Sequence, residues 1–137
     1  MTIDAERLRQ LDLFVDLDSY DLSQVCRWVH EVRADAGDAL FEQGTIPYEM
    51  FVIEHGEVEV VRDGEVLAKL GPGETVGEMG LMMQERRMAS VRAATPLVAL
   101  AIPADDLAEL QAEMPEVWAT IRATMEERRR SNVFDED

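Results

Sequence analysis

The chain has 137 residues, the length of one domain, and 47% of them are hydrophobic, which is enough to form a buried core. It carries 29 acidic residues against 13 basic ones, and its formal net charge is -16. A surface of that charge repels nucleic-acid phosphates and anionic membranes, so we expect neither nucleic acid nor a membrane as a partner. With a single cysteine, no signal peptide and no long apolar run, the sequence predicts a cytoplasmic protein.

The beginning of the chain has helical periodicity. Leu8, Leu11 and Val15 recur at helix spacing and predict a first helix over 2–17. Asp18 is a typical N-cap for a second helix. The apolar stripe of that second helix consists of Leu22, Val25, Cys26 and Val29.

The middle of the chain has the pattern of short strands. All eight glycines lie between residues 37 and 80, where they separate segments such as "MFVIEHG" and "EVEVVRDGEVLAKLG". Val58 and Val60 alternate with glutamates, and Asp63-Gly64 supplies the two positive φ angles of a tight hairpin. "SVRAA" and "LVALAI" predict two further strands. Short strands at this spacing favour a small β-barrel or jelly roll.

Helical periodicity returns after Pro103. "ADDLAELQAEM" predicts one helix, and Pro115 opens a second one. We therefore predict one domain over 1–137, of class α+β and mainly β. Its parts are N-terminal helices over 2–30, a barrel over 31–102, C-terminal helices over 103–130 and a frayed tail over 131–137.

The stretch "GEMGLMMQERRMAS", 77–90, places two adjacent arginines in this acidic chain. Gly77 permits a sharp turn, and the apolar run after it fits one helical turn between two strands. The first turn of a helix attracts anions, and a returning arginine adds a planar fork that binds phosphate in a bidentate way. Glu78 is suited to accept hydrogen bonds from sugar hydroxyls. A surface turn with two solvated arginines has the same composition, so both interpretations stay open at this point.

The longer stretch "VGEMGLMMQERRMASVRA" resembles the phosphate-binding cassette of cyclic nucleotide-binding domains, in their bacterial catabolite-activator-like branch. The nine-residue spacing from Glu78 to Arg87 matches that cassette, here 76–91, and selects Arg87 over Arg86. "LDLFVDLDSYDLSQV", "ADAGDALFEQG", "MFVIEHGEVEVV" and "LGPGETVGE" are similar to the family elements that precede it, so the resemblance covers about 8–130. It implies a jelly-roll β-barrel flanked by N-terminal and C-terminal helices.

The resemblance also implies a ligand and its contacts. Arg87 pairs with the cyclic phosphate, Glu78 accepts from the ribose 2′-hydroxyl, and the hydroxyl of Ser90 faces the purine. Backbone N–H groups near Gly80, Leu81 and Ala89 complete the phosphate site. The implied ligand-binding set is Gly77, Glu78, Met79, Gly80, Leu81, Arg87, Met88, Ala89 and Ser90. The implied base and lid contacts are Val66, Val76, Trp118, Ile121 and Met125.

Three residues depart from the family pattern. Met88 stands where a small residue is usual; its backbone amide is retained, but its thioether is long enough to crowd the phosphate. It also lacks the hydroxyl frequent in relatives selective for cyclic GMP, which favours cyclic AMP and leaves cyclic GMP as the alternative. Val76 replaces a phenylalanine, and Gly80 replaces alanine or serine. Neither of these two removes a polar contact.

Two functions remain open. The first is a bacterial sensor or regulatory domain in signal transduction, which binds a cyclic nucleotide, moves its last helix, and acts on an unidentified protein partner or through a homodimer of that helix. The second is an interaction module of the same fold that has lost nucleotide binding. A transcription factor is disfavoured, because such relatives continue into a DNA-binding domain and this chain is short and acidic. The sequence contains no catalytic set and no metal-ligand spacing around His30 or His55, so we expect no enzyme, metal or cofactor.

Overall fold

A computed structural model describes residues 3–130, without the side chains of Met79, Met82, Met83 and 128–130. The predicted tail, 131–137, and residue 2 of the predicted first helix lie outside the described residues. The strands are β1 His30–Ala34, β2 Ala39–Phe41, β3 Glu49–His55, β4 Val58–Arg62, β5 Glu65–Leu70, β6 Thr75–Val76, β7 Ser90–Ala93 and β8 Leu97–Pro103. The helices are α1 Ala5–Arg9, α2 Ser19–Val25, α3 Glu78–Met83, α4 Ala104–Glu113 and α5 Pro115–Arg130.

The described strands form two antiparallel four-stranded sheets, as the resemblance to a jelly roll predicted. One sheet has the order β1-β8-β3-β6 and the other the order β2-β7-β4-β5. Within the second sheet, β4 and β5 join through Asp63-Gly64, whose φ angles of 52° and 83° confirm the predicted hairpin turn. Gly64 accepts this conformation because it has no Cβ.

The first sheet lies between two apolar cores, since both of its faces are buried. Along β3, Met50 and Val52 belong to a cluster with the helices, whereas Phe51 and Ile53 belong to the interior between the two sheets. This is the two-residue alternation of a strand with apolar side chains on both faces. The continuous apolar run "MFVI" follows from this double burial. The barrel and the helices are therefore joined through one shared sheet.

The prediction of a single first helix over 2–17 is wrong. Helix α1 covers only Ala5–Arg9, a 3₁₀ turn follows at Asp12–Phe14, and Val15 is 56% exposed. The buried residues of this segment fall at irregular intervals, which one straight helix cannot place on a single face. They are Leu8, Leu11, Leu13, Phe14 and Leu17.

The second helix begins as predicted and ends early. The Asp18 carboxylate accepts a hydrogen bond from the Asp21 backbone N–H at 2.8 Å, which confirms the predicted N-cap. After Val25 the chain tightens into a 3₁₀ turn at Cys26–Trp28, so the predicted stripe is shared between two elements. At the other end of the chain, Pro115 opens α5 as predicted.

An ion-pair network ties α1 to the shared sheet. Arg7 donates to both Glu54 carboxylate oxygens at 2.8 and 2.6 Å, and to a Glu31 oxygen at 2.5 Å. Arg33 donates to the other Glu31 oxygen at 2.6 Å. These hydrogen bonds lower the pKa of Glu31 from 4.5 to about 2, and the one from Arg7 has a larger effect than the one from Arg33. In the described part of the chain no helix has the length and apolar character needed to cross a membrane.

Candidate functional site

Helix α3 begins at a glycine that the local packing requires. Gly77 has φ 83°, and a Cβ added there would lie 2.8 Å from Arg87 Nη1 and 3.0 Å from Phe41 Cε2. The first distance is shorter than real Cβ contacts and the second is tighter than most of them, so a side chain at position 77 would displace Arg87 or Phe41, besides straining the backbone at this positive φ. The helix ends after six residues at Gln84, whose φ is 53°. This confirms the predicted helical turn between two strands.

The guanidinium of Arg87 points into the protein. The residue is 5% exposed, Nη1 donates to the Gly77 carbonyl at 2.7 Å, and Nη2 donates to the Glu49 carbonyl at 2.5 Å. Its Cζ lies 3.8 Å from the centroid of the Phe41 ring. Arg86, by contrast, is exposed and donates to the Gly44 carbonyl at 3.0 Å. The two adjacent arginines therefore have different environments, and only Arg87 is buried.

The backbone fixes Arg87 independently of its side chain. The Arg87 N–H donates to the Thr45 carbonyl at 2.8 Å, and the Arg87 carbonyl accepts from the Gly44 N–H at 2.8 Å. This pair of bonds holds the cassette against the loop that follows β2. The direction in which the side chain leaves the backbone is thus set by two hydrogen bonds.

The electrostatics of Arg87 suit an anion. Its Nε is buried and has no hydrogen-bond partner among the described residues. Burial lowers the pKa of Arg87 from its ordinary value, and the nearby carboxylates of Glu78 and Glu49 oppose that shift. A guanidinium stays charged at neutral pH because its ordinary pKa is above about 12. A buried cation with an unused donor is a position where a phosphate gains strong, charge-assisted hydrogen bonds.

Glu78 is the other buried charged residue of this site. It is 6% exposed, and one of its carboxylate oxygens accepts from the Thr75 hydroxyl at 3.2 Å. It is the first residue of α3, where a negative side chain also interacts favourably with the helix dipole. The structure therefore brings Glu78 and Arg87 together in one site.

The flanks of the cassette pack on different cores. Leu81 on α3 packs against the helical cluster, and Ala89 packs against the barrel interior. A Cβ added at Gly80 would lie 3.2 Å from Arg87 Nη1 and 3.3 Å from the Pro47 Cβ, so α3 passes close to the guanidinium. Met79 lies on α3, and its side chain is outside the described part of the structure. The cassette, made of α3 and the return into β7, thus contacts both apolar cores.

Met88 and Ser90 sit at the return from α3 into β7. The Met88 side chain is 53% exposed, so in this conformation the thioether does not fill the site. The Ser90 hydroxyl accepts from the Gln43 backbone N–H at 2.9 Å. Gln43 is in turn paired through its side chain with Asp63 at 2.9 Å, which ties this loop to the tip of the β4–β5 hairpin.

The proposed base and lid residues divide into two groups. Val66 on β5 is 49% exposed, whereas Val76 is 3% exposed and belongs to the barrel interior. The three residues of α5 lie in or against the helical cluster. Ile121 and Met125 are buried in that cluster, and Trp118 packs against it. A role as lid or dimer surface would require them to leave that core.

Sequence reasoning missed two residues that shape the site. Phe41 stacks on Arg87, and Gln43 engages both Ser90 and Asp63. Both lie in "ALFEQG", where a short apolar run followed by polar residues and a glycine indicates a strand end without indicating which strand lies beside it. Pairing of β2 with β7 brings that segment to the cassette. No signal in one sequence reveals this pairing.

A second, open groove lies away from Arg87. It has a volume of about 500 Å³ and opens between α2 and the junction of α4 with α5. Four of its lining residues are acidic, and they repel phosphate. These are Asp16, Asp21, Glu113 and Glu116. No group of His, Cys, Asp and Glu within the described residues is arranged to hold a metal ion.

Comparison with known proteins agrees with this arrangement. The family model of the cyclic nucleotide-binding domain matches residues 31–114. The chain is 35% identical to a cyclic nucleotide-gated potassium channel of Rhizobium etli over 85% of this chain, and 34% identical to the cAMP-dependent protein kinase regulatory subunit of Yarrowia lipolytica over 63% of it. It spans 33% and 23% of the lengths of those two proteins.

A solved structure shows the same fold at higher coverage. The N-terminal domain of a transcriptional regulator from Streptomyces coelicolor has a TM-score of 0.74 and 32% sequence identity, with 92% of this chain and 94% of that chain covered. The matched residues of the family model include most of the barrel, the whole cassette and α4. The chain belongs to the cyclic nucleotide-binding domain family.

Proposed function

We propose that this domain binds a cyclic nucleotide, with cyclic AMP preferred, at the site formed by α3 and Arg87, and that it has a regulatory function without catalysis. One observation carries the proposal: Arg87 is buried beside α3 with an unused Nε–H, in an otherwise strongly acidic chain. Burying a cation costs free energy unless it is hydrogen-bonded and paired with negative charge, and a bound phosphate would supply both. Membership of the family, and the similarity to a cyclic nucleotide-gated channel and a cAMP-dependent protein kinase regulatory subunit, support the same ligand class.

The proposed roles follow from the geometry. Arg87 binds the cyclic phosphate, and Glu78, already inside the site, accepts from the ribose 2′-hydroxyl. Each Nη group donates one hydrogen to a carbonyl in the ligand-free protein and keeps a second one, so the phosphate can engage Nε–H or a remaining Nη hydrogen without breaking these bonds. Ser90 keeps its hydroxyl proton available while its oxygen accepts from Gln43, so it can still donate to a base.

Preference for cyclic AMP rests on Met88. The residue offers its backbone N–H and a thioether, and it has no hydroxyl that could form a hydrogen bond specific to guanine. Its side chain is turned to solvent, so it does not obstruct the phosphate. The proposed selectivity is therefore the absence of a contact to cyclic GMP and not a special contact to cyclic AMP.

Signalling in this proposal passes through α3. Its Leu81 packs against the cluster that also contains Ile121 and Met125 of α5, so a shift of α3 changes the support of the last helix. A ligand moves α5 only if it binds one arrangement of α3 more tightly than the other. The output is a repacking of the helical cluster, which a protein partner or a second copy would detect.

Calorimetric titration with cyclic AMP and cyclic GMP tests the proposal. Arg87→Ala removes the charged contact, which is worth ~1.5–3 kcal/mol, or roughly 10- to 100-fold in affinity. Arg86→Ala is the matched control, since it removes an adjacent, exposed arginine. We expect binding by the wild type and by Arg86→Ala, and much weaker binding by Arg87→Ala.

If neither cyclic AMP nor cyclic GMP binds, the interaction module that has lost nucleotide binding is favoured. In that case the two carbonyl bonds of Arg87 are its permanent partners, and the domain is an interaction module. No heat from either nucleotide at millimolar concentration would reject nucleotide binding in favour of that module. Equal losses in the Arg86 and Arg87 variants would place the phosphate elsewhere.

A further inference from the structure

Phe41 is the one aromatic residue that contacts the Arg87 guanidinium within the described part of the chain. It ends β2, opposite Val91 of β7, where the register shifts between Ala39 and Phe41. Its ring packs against the barrel interior and stacks on Phe51, with ring centroids 6.1 Å apart. The ring is therefore held by the core and not by the ligand site.

The ring and the guanidinium lie in close contact. Arg87 Cζ is 3.8 Å from the ring centroid, well inside the ~6 Å range of a cation–π interaction. The interaction is stronger when water is excluded, and Arg87 is 5% exposed. On its edges the guanidinium donates to the carbonyls of Gly77 and Glu49. One face and two edges of the group are thus fixed before any ligand arrives.

We propose that Phe41 is a positioning residue of this site, because its ring sets the plane in which Arg87 presents its guanidinium to the cyclic phosphate. The inference rests on the proposed function and adds to it a residue outside the cassette. Two hydrogen bonds alone leave the group free to tilt about the line that joins their acceptors. The ring removes that freedom, and a group held in its binding geometry loses less entropy when the ligand binds.

Leucine at position 41 would keep an apolar contact with the core and remove the π face. The local consequence is a guanidinium that tilts and a buried Nε–H that reaches solvent. Phe51→Leu is the matched control, because it removes an equal ring from the same barrel interior and leaves Phe41 in place. Phe41→Tyr keeps the ring and is expected to behave as the wild type.

A ligand-free measurement tests the positioning role directly. Nitrogen-15 spectra record arginine Nε–H signals, and the Arg87 signal is assigned by its disappearance in Arg87→Lys. Because this Nε is buried, we expect slow exchange of its hydrogen with water in the wild type and in Phe51→Leu. Phe41→Leu should exchange at least about tenfold faster. Unchanged exchange in Phe41→Leu would overturn the inference, whether or not a nucleotide binds.

Titration with cyclic AMP gives the second readout. We expect Phe41→Leu to bind about three- to tenfold more weakly than the wild type, and to cause no further loss in an Arg87→Ala background. Equal losses in both backgrounds, or equal losses from Phe41→Leu and Phe51→Leu, would show that the ring only packs the core. If Phe41→Leu does not fold, Phe41→Met replaces it in both measurements. Absence of binding by the wild type contradicts the proposed function and leaves the exchange test of Phe41 valid.

Discussion

Gly77→Ala is the most revealing single change, because it inserts one methyl group between Arg87 and Phe41. The added carbon would lie 2.8 Å from Arg87 Nη1, 3.0 Å from Phe41 Cε2 and 3.3 Å from the Glu49 carbonyl oxygen. Ordinary contacts are about 3.5–4.0 Å, so the guanidinium has to move by roughly 1 Å. Such a displacement breaks its hydrogen bond to the Gly77 carbonyl.

The expected cost has two parts. A residue other than glycine at φ 83° costs about 1 kcal/mol in backbone strain. Loss of the hydrogen bond and of the stacking contact adds about 1–2 kcal/mol. Gly64→Ala is a matched control, since Gly64 has the same φ of 83° and nothing within 4 Å of the added carbon. Gly64→Ala should lower the free energy of unfolding only by the cost of the backbone strain.

Thermal unfolding and cyclic AMP titration of both variants separate the two parts. For a chain of this size, the additional 1–2 kcal/mol corresponds to a Tm about 4–8 °C lower in Gly77→Ala than in Gly64→Ala. The affinity of Gly77→Ala should fall about tenfold or more, while Gly64→Ala should bind as the wild type. Equal Tm values and equal affinities would refute the claim that Gly77 is required by the packing of Arg87 and Phe41.

Two further predictions concern Glu31 and Met88. The pKa of Glu31 is about 2 in the folded protein against 4.5 ordinarily, so its ion pairs stabilise the fold above pH 4.5 and this contribution is lost as the pH falls from 4.5 towards 2. Glu31→Gln should therefore be less stable than the wild type at pH 7, with the difference in Tm shrinking over that interval; a difference independent of pH would contradict the role of the Arg7 network. Met88→Ala removes an exposed side chain, so we expect cyclic AMP affinity within about twofold of the wild type and stability within about 0.5 kcal/mol. A large gain in affinity would mean that the thioether obstructs the ligand.

Much of the fold follows from local signals in the sequence. Asp63-Gly64 predicts its hairpin, Pro115 opens its helix, and the Gly77 turn leads into α3 as expected. The first helix was mispredicted because Leu8 and Leu11 lie three residues apart, a spacing that a helix and a turn share. Local periodicity does not show that the chain turns so that more apolar residues reach the same core.

The candidate site also has residues that the sequence predicts and residues that it does not. Glu78 and Arg87 belong to the same cassette pattern, nine residues apart, and the structure places both side chains in one buried site. Phe41 was not predicted, because its contact with Arg87 depends on the pairing of β2 with β7, which links distant parts of the chain. The prediction that α5 supplies lid contacts remains a proposal, since its apolar residues are packed in the helical core.

A crystal structure of the protein grown with cyclic AMP would test the central claim most directly. We predict that a phosphate oxygen lies about 2.7–3.2 Å from a nitrogen of the Arg87 guanidinium, with the Glu78 carboxylate at the ribose hydroxyl. A nucleotide bound elsewhere, or an Arg87 that keeps both carbonyl partners beside an empty site at saturating nucleotide, would contradict it.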